Sequence, residues 1–161
     1  MECVSDIANR FLFPGIEKEL FGYLYDPSLS FEEKVHFCGD TPMLWPLFEK
    51  EKGSNDLLYC ASKYNHFPLI LRAIELGADN WNWGMFYAAE GGHLHLVEYF
   101  IEKGADDWDS GMEGAAQEGY LYLVEYFVEK GADDWNRGME SASIGGQLHI
   151  VEYFKKKLNQ N

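Results

Sequence analysis

From residue 77 onward the apolar and polar positions recur with a fixed step. Gly77, Gly104 and Gly131 lie 27 residues apart (104 − 77 and 131 − 104) and open the strings GADNW, GADDW and GADDW. Within each unit Met85, Ala88 and Ala89, or their equivalents, fall at i, i+3 and i+4, which predicts a short helix with a narrow buried stripe of small residues. Asn82, Asp109 or Asn136 stands ahead of that stripe as the expected N-cap. Gly92, Gly119 or Gly146 then breaks the helix. A second run follows, LHLVEYFIE, LYLVEYFVE or LHIVEYFKK. It puts Leu94, Val97 and Ile101 on one face with Leu96 and Phe100 beside them, the pattern of a helix packed on two sides.

A diverged unit precedes these three. Residues 50–76 align without a gap, with Asn55 at the cap, Ala61 at the small position and Asn65-His66 at the turn. Leu69, Ile70 and Ile74 take the apolar positions of its second helix, and Pro68 falls in the first turn, where proline is tolerated. Helix pairs this short bury their apolar faces only against neighbours, so the expected fold is an all-α solenoid of four units: 50–76, 77–103, 104–130 and 131–157. The last unit carries Lys155 where the others have Ile74, Ile101 and Val128. Lys156, Lys157 and a polar tail, 158–161, follow. A charged outer face suits a terminal repeat, so the array is expected to stop there, at a natural C-terminus.

Residues 1–49 do not fit the step. Ile16, Leu20 and Leu24 are spaced as on a helix, Ser30-Phe31-Glu32-Glu33 is a capping-box signature ahead of a second helix, and Thr41-Pro42 opens a third around Leu44, Trp45, Leu47 and Phe48. Three short helices would form an N-terminal capping module.

The stretch AAEGGHLHLVEYFIEKGAD, 88–106, resembles the ankyrin repeat. Ala88, Ala89, Gly92, His93, Leu94, Val97, Phe100, Ile101, Gly104, Ala105 and Asp106 match position by position, and the likeness extends over roughly 54–157. Ankyrin units are about 33 residues long, so these lack the segment in which that family carries its β-hairpin finger. Short loops should replace it. The family's T-P-L-H tetrapeptide is replaced by Trp83-Gly84-Met85-Phe86 and its equivalents. Shortened, aromatic-rich units of this kind resemble ankyrin proteins of large DNA viruses, including those that infect amoebae. The run from Pro14 to Leu24, with Asp26 and Pro42 to Phe48, is similar to an F-box. That likeness implies a second reading over 10–49, an adaptor for a ubiquitin ligase.

Charge narrows the partners. The 27 acidic and 13 basic residues leave a net charge of −14, which opposes binding to nucleic acid or anionic membrane. Three scattered cysteines suggest neither a disulfide framework nor a zinc site. No signal peptide or membrane span is visible, so a cytoplasmic or nuclear protein, not a secreted one, is expected. No nucleophile–base constellation, phosphate loop or calcium loop is present, which argues against an enzyme, a cofactor and a metal. His66 and His93 sit at turns, where bonding to neighbouring backbone is the expected role. His95 and His149 share one repeat position two units apart, too far for a common metal.

Positions identical in the three good units should serve stacking. These include the ladder Trp81, Trp108 and Trp135, expected in the loops with indole N–H groups bonded to neighbouring loops, and Asp79, Asp106 and Asp133, expected to cap loop amides. Positions that differ are free to meet a partner. On the first helices these are Trp83, Ser110 and Arg137; Phe86, Glu113 and Glu140; Tyr87 and its equivalents; and Glu90, Gln117 and Ile144. They should line a concave, acidic face that recognises a basic or mixed-charge protein. Trp83, Phe86 and Tyr87 form an aromatic patch at its start, which either binds a partner, joins two copies in a homodimer, or packs against residues 50–76.

Overall fold

The computed structural model of the chain describes residues 26–38 and 53–159. Over them the protein is all-α. Helix α1 (Phe31–Cys38) precedes four helix pairs: α2 (Ser54–Lys63) with α3 (Phe67–Glu75), α4 (Trp81–Glu90) with α5 (Leu94–Lys103), α6 (Trp108–Glu118) with α7 (Leu121–Lys130), and α8 (Trp135–Ile144) with α9 (Leu148–Leu158). No strand occurs among the described residues, and only residues 104–107 link α5 to α6. The helix starting at Phe31 opens on the expected capping box: Ser30 N–H donates to Glu33 Oε2 (2.8 Å) and Glu33 N–H donates to Ser30 Oγ (3.2 Å). The helix expected around 16–24 and the apolar cluster at 44–48 lie outside the described residues, as does the F-box-like segment apart from 26–38.

Each second helix packs on its own first helix, and the first helices pack on one another in the row α2–α4–α6–α8, with α1 against α2. The second helices do not approach each other as closely. The stack therefore curves toward the first helices, which form its inner row.

Small residues make that row tight. Met85, Ala88 and Ala89 are fully buried, as are Met112, Ala115 and Ala116. Within a pair, a phenylalanine ring of the second helix lies on a glycine of the first. A Cβ on Gly84, Gly111 or Gly138 would sit 2.8, 2.4 or 2.6 Å from a ring carbon of Phe100, Phe127 or Phe154. The α2–α3 pair solves the same problem with sizes exchanged. Leu57 stands at the glycine position and Ala73 at the phenylalanine position, both fully buried. Large on one helix requires small on the other.

The helix starts differ from expectation. The N-caps are Asn80, Asp107 and Asp134, whose side chains accept from the backbone N–H of Trp83, Ser110 and Arg137 at 3.1–3.2 Å. Each helix thus begins two residues earlier than predicted, with the tryptophan as its first residue. At the start of α2 the N-cap is Gly53, not Asn55.

The residues expected to cap reach instead across to the following loop. Asn55 Oδ1 accepts from Asp79 N–H and Asn80 N–H (3.2 and 3.3 Å). Asn82 Oδ1 accepts from Asp106 and Asp107 (2.8 and 3.1 Å). Asp109 Oδ1 accepts from Asp133 and Asp134 (both 2.9 Å). One side-chain oxygen per unit thus gathers two loop amides of the next. Gly104 and Gly131 end α5 and α7 in the left-handed region (φ 108° and 115°), where a side chain would be strained, and turn the chain into those loops.

Two outcomes are expected in chemical denaturation. Phe127→Ala alone should cost about 3–5 kcal/mol, and Gly111→Leu alone should destabilise by overpacking. The double substitution, which copies the Leu57/Ala73 pairing, should cost less than the sum by at least about 1 kcal/mol; strict additivity would contradict the size exchange. Asp109→Ala should cost about 0.5–1.5 kcal/mol through the loss of two solvent-exposed hydrogen bonds. Asp109→Asn should be nearly neutral, because Asn55 and Asn82 do the same work.

Candidate interaction face

The outward residues of the first helices build the inner surface of the stack. At its start Trp83, Phe86 and Tyr87 meet Tyr59 of α2. Tyr59 stacks on Tyr87 with ring centroids 5.4 Å apart, Trp83 meets Phe86 edge-on at 5.4 Å, and Phe86 meets Tyr87 edge-on at 5.2 Å. The patch therefore does rest on the preceding unit, yet one ring stays open: Phe86 and Tyr87 are half-buried, whereas Trp83 is 49% exposed. Tyr59 was missed as a candidate, although it occupies the Phe86 position one unit earlier. Burial pushes the hydroxyls of Tyr59 and Tyr87 above their ordinary pKa, so both remain protonated donors near neutral pH.

At the same end of the row the charges pair between units. Lys63 bridges Glu32 of α1 (2.8 Å) and Glu90 of α4 (2.9 Å). Glu90 is only 9% exposed, so this candidate contact residue serves the stack. Burial alone would lower the Lys63 pKa, but hydrogen bonding to the two carboxylates outweighs it and holds the ammonium well above its usual range. The hydrogen bond from Lys63 in turn lowers the Glu32 carboxyl. Tyr64 donates its hydroxyl to Glu32 (2.9 Å), and burial followed by that carboxylate pushes it up to about 12.

Farther along, Arg137 pairs with Glu113, which also accepts from Ser141 Oγ (3.3 Å). Ser110 and Gln117 are half-buried, Glu140 is exposed, and Ile144 is 75% exposed. Gly114 presents nothing, since a Cβ there would lie 2.7 Å from the Phe86 carbonyl oxygen.

The ladder residues lie at the ends of these helices. Trp81, Trp108 and Trp135 are half-buried against the core as first helical residues rather than loop residues. Trp135 Nε1–H donates to Ala132 O in its own loop (3.2 Å), not to a neighbouring loop. Asp106 accepts from Asn82 Nδ2 (3.3 Å), whereas Asp79 and Asp133 enter the lattice through their backbone amides.

A second row of contacts runs along the turns. His93 Nε2–H donates to Lys63 O (2.9 Å) and His66 Nε2–H to His36 O (3.2 Å). His149 Nε2–H donates to Gly119 O (3.2 Å) and the Tyr122 hydroxyl to Gly92 O, each reaching 30 residues back. His95 bonds Asn65 Oδ1 at 2.9 Å. These histidines are spent on neighbouring turns. Among the described residues no group of three His, Cys, Asp or Glu is arranged to hold a metal ion, and no helix is long and apolar enough to cross a membrane.

No protein-family model matches the chain, and a search of the curated proteins finds no match.

Burial, reinforced by nearby His95 and His66, depresses the His93 pKa against the opposing effect of its bond to Lys63 O. A folded value below the unfolded one means the fold favours the neutral ring. That stabilisation is whole above about pH 6.5 and is lost as pH falls through the folded value. Wild-type protein should therefore lose more melting temperature between about pH 7.5 and about pH 5 than His93→Gln, in which the ring cannot charge. Parallel pH profiles would contradict this.

Proposed function

We propose that the chain is a non-enzymatic protein-recognition module that holds a basic or mixed-charge protein segment along its inner row of first helices. The observation that carries this reading is Trp83. The residue stays 49% exposed although three other aromatic rings are at hand to cover its indole. It also stands at a position where otherwise similar units differ, Trp83, Ser110 and Arg137. Stacking does not require a tryptophan there. Exposed aromatics backed by rigid neighbours are the usual energetic centres of protein interfaces. The resemblance to ankyrin repeats over 54–157 supports the same reading, with the inner helices rather than hairpin fingers as the contact surface. The net charge of −14 would steer a basic partner toward it.

Trp83→Ala with Phe86→Ala should weaken partner capture from cell extract by about tenfold or more and leave the helical circular dichroism in place. Undiminished capture would put the contact surface elsewhere. Light scattering that finds a dimer, dissolved by the same two substitutions, would assign the patch to self-association instead.

A further inference from the structure

Resting on that reading, we propose that the notch between Trp83 and Arg137 is a pocket for a guanidinium, the side chain of an arginine in a basic partner segment. The notch exists because successive units place residues of unequal size at one position. Ser110 is short, while Trp83 before it and Arg137 after it are long. The result is a cleft of about 150 Å³, with Asn82, Phe86, Asp107 and Glu113 completing its lining.

The walls have a definite chemistry. On one side the Trp83 indole is propped edge-on by Phe86 (5.4 Å) and backed by Tyr87 (5.9 Å), so it is presented rather than free to collapse. A planar cation stacks well on such a face. The same lining holds two carboxylates already fixed in place. Asp107 accepts from Ser110 N–H (3.1 Å) and Ser110 Oγ (2.7 Å); Glu113 accepts from Ser141 Oγ (3.3 Å) and pairs with Arg137. Both retain lone pairs for a further donor. Two carboxylates and one guanidinium leave the lining with one net negative charge. Arg137 on Glu113 is itself a guanidinium at home in this cleft.

Other guests fit less well. An anion would find one cation, already paired, and would face Asp107. A neutral aromatic ring would take water from two carboxylates without replacing its hydrogen bonds. A lysine supplies charge but neither the planar stacking nor the forked donors of arginine.

The test is a titration of the ¹⁵N-labelled full chain followed by NMR at the Trp83 indole N–H, assigned by its loss in Trp83→Phe. The probes are capped Gly-Arg-Gly and the same peptide with lysine, glutamate or citrulline, the last an uncharged isostere of arginine. Arginine should shift the signal saturably and more tightly than lysine, with no response to citrulline or glutamate. Asp107→Asn with Glu113→Gln should weaken arginine binding about tenfold. Asparagine keeps the cap, as Asn80 does for α4, and a thermal melt confirms the fold. Arg137→Ala, which removes the internal competitor, should tighten binding. Equal responses to arginine and citrulline, unchanged affinity in the double carboxylate variant, or a glutamate response lost in Arg137→Ala would each overturn the guanidinium pocket. A silent indole signal would overturn it too. Partner capture that still depends on Trp83 would then leave the recognition reading standing, whereas loss of that dependence would remove both.

Discussion

The close approach of consecutive first helices is the constraint from which the rest of the stack follows. A Cβ on Gly145 would fall 1.8 Å from the Gln117 carbonyl oxygen, one on Gly91 2.2 Å from that of Lys63, and one on Gly114 2.7 Å from that of Phe86. Backbone meets backbone at these points, so only residues without a side chain fit. Once the inner row is this tight, the second helices splay outside it, and the bulk needed to fill each pair comes from one large ring set against a glycine. Links of four or five residues are then long enough to carry the chain from an outer helix back to the next inner one. The curvature, the shape of the core and the accessible inner face all follow from that spacing.

The 27-residue period made the helix pairs, the small-residue stripe and the left-handed glycines legible, because each is a local pattern repeated in register. The helix starts were less legible. Asn80 and Asn82, or Asp107 and Asp109, are all competent caps. Nothing local says which one bonds its own helix and which bonds the next loop, 24 and 25 residues away. The tryptophans were misplaced for the same reason: moving the cap back by two residues turns a loop residue into the first residue of a helix. The aromatic patch was spelled out in one stretch, but which ring stays open depends on Tyr59, contributed by the preceding unit. Glu90 looked like a variable surface residue, and Lys63 stood at the same repeat position one unit earlier. Two positions of opposite charge one period apart signal a pair between units, not a surface.

Charge is handled unevenly across the molecule. On the inner row Lys63 and Arg137 are drawn into pairs with Glu32, Glu90 and Glu113, which neutralises positive charge on that face. The loop residues Asp79, Asp106, Asp107, Asp133 and Asp134 stay exposed along one edge. Exposed glutamates also stud the outer helices, Glu98, Glu102, Glu125, Glu129 and Glu152 among them, so negative charge lies on both sides of the stack, and salt would screen it over about 8–10 Å.

The amide-gathering oxygens of Asn55, Asn82 and Asp109 carry a consequence for how such a chain can change length. Each bond set joins a fixed place in one unit to a fixed place in the next, and none skips a unit. A duplication or deletion of one whole period would leave every surviving junction with its acceptor, its two donors and its ring-on-glycine pair intact. A shift of even one residue between an acceptor and its two donors would break the junction in which it falls. The architecture therefore tolerates growth and loss only in whole units, as a ratchet moves only by whole teeth.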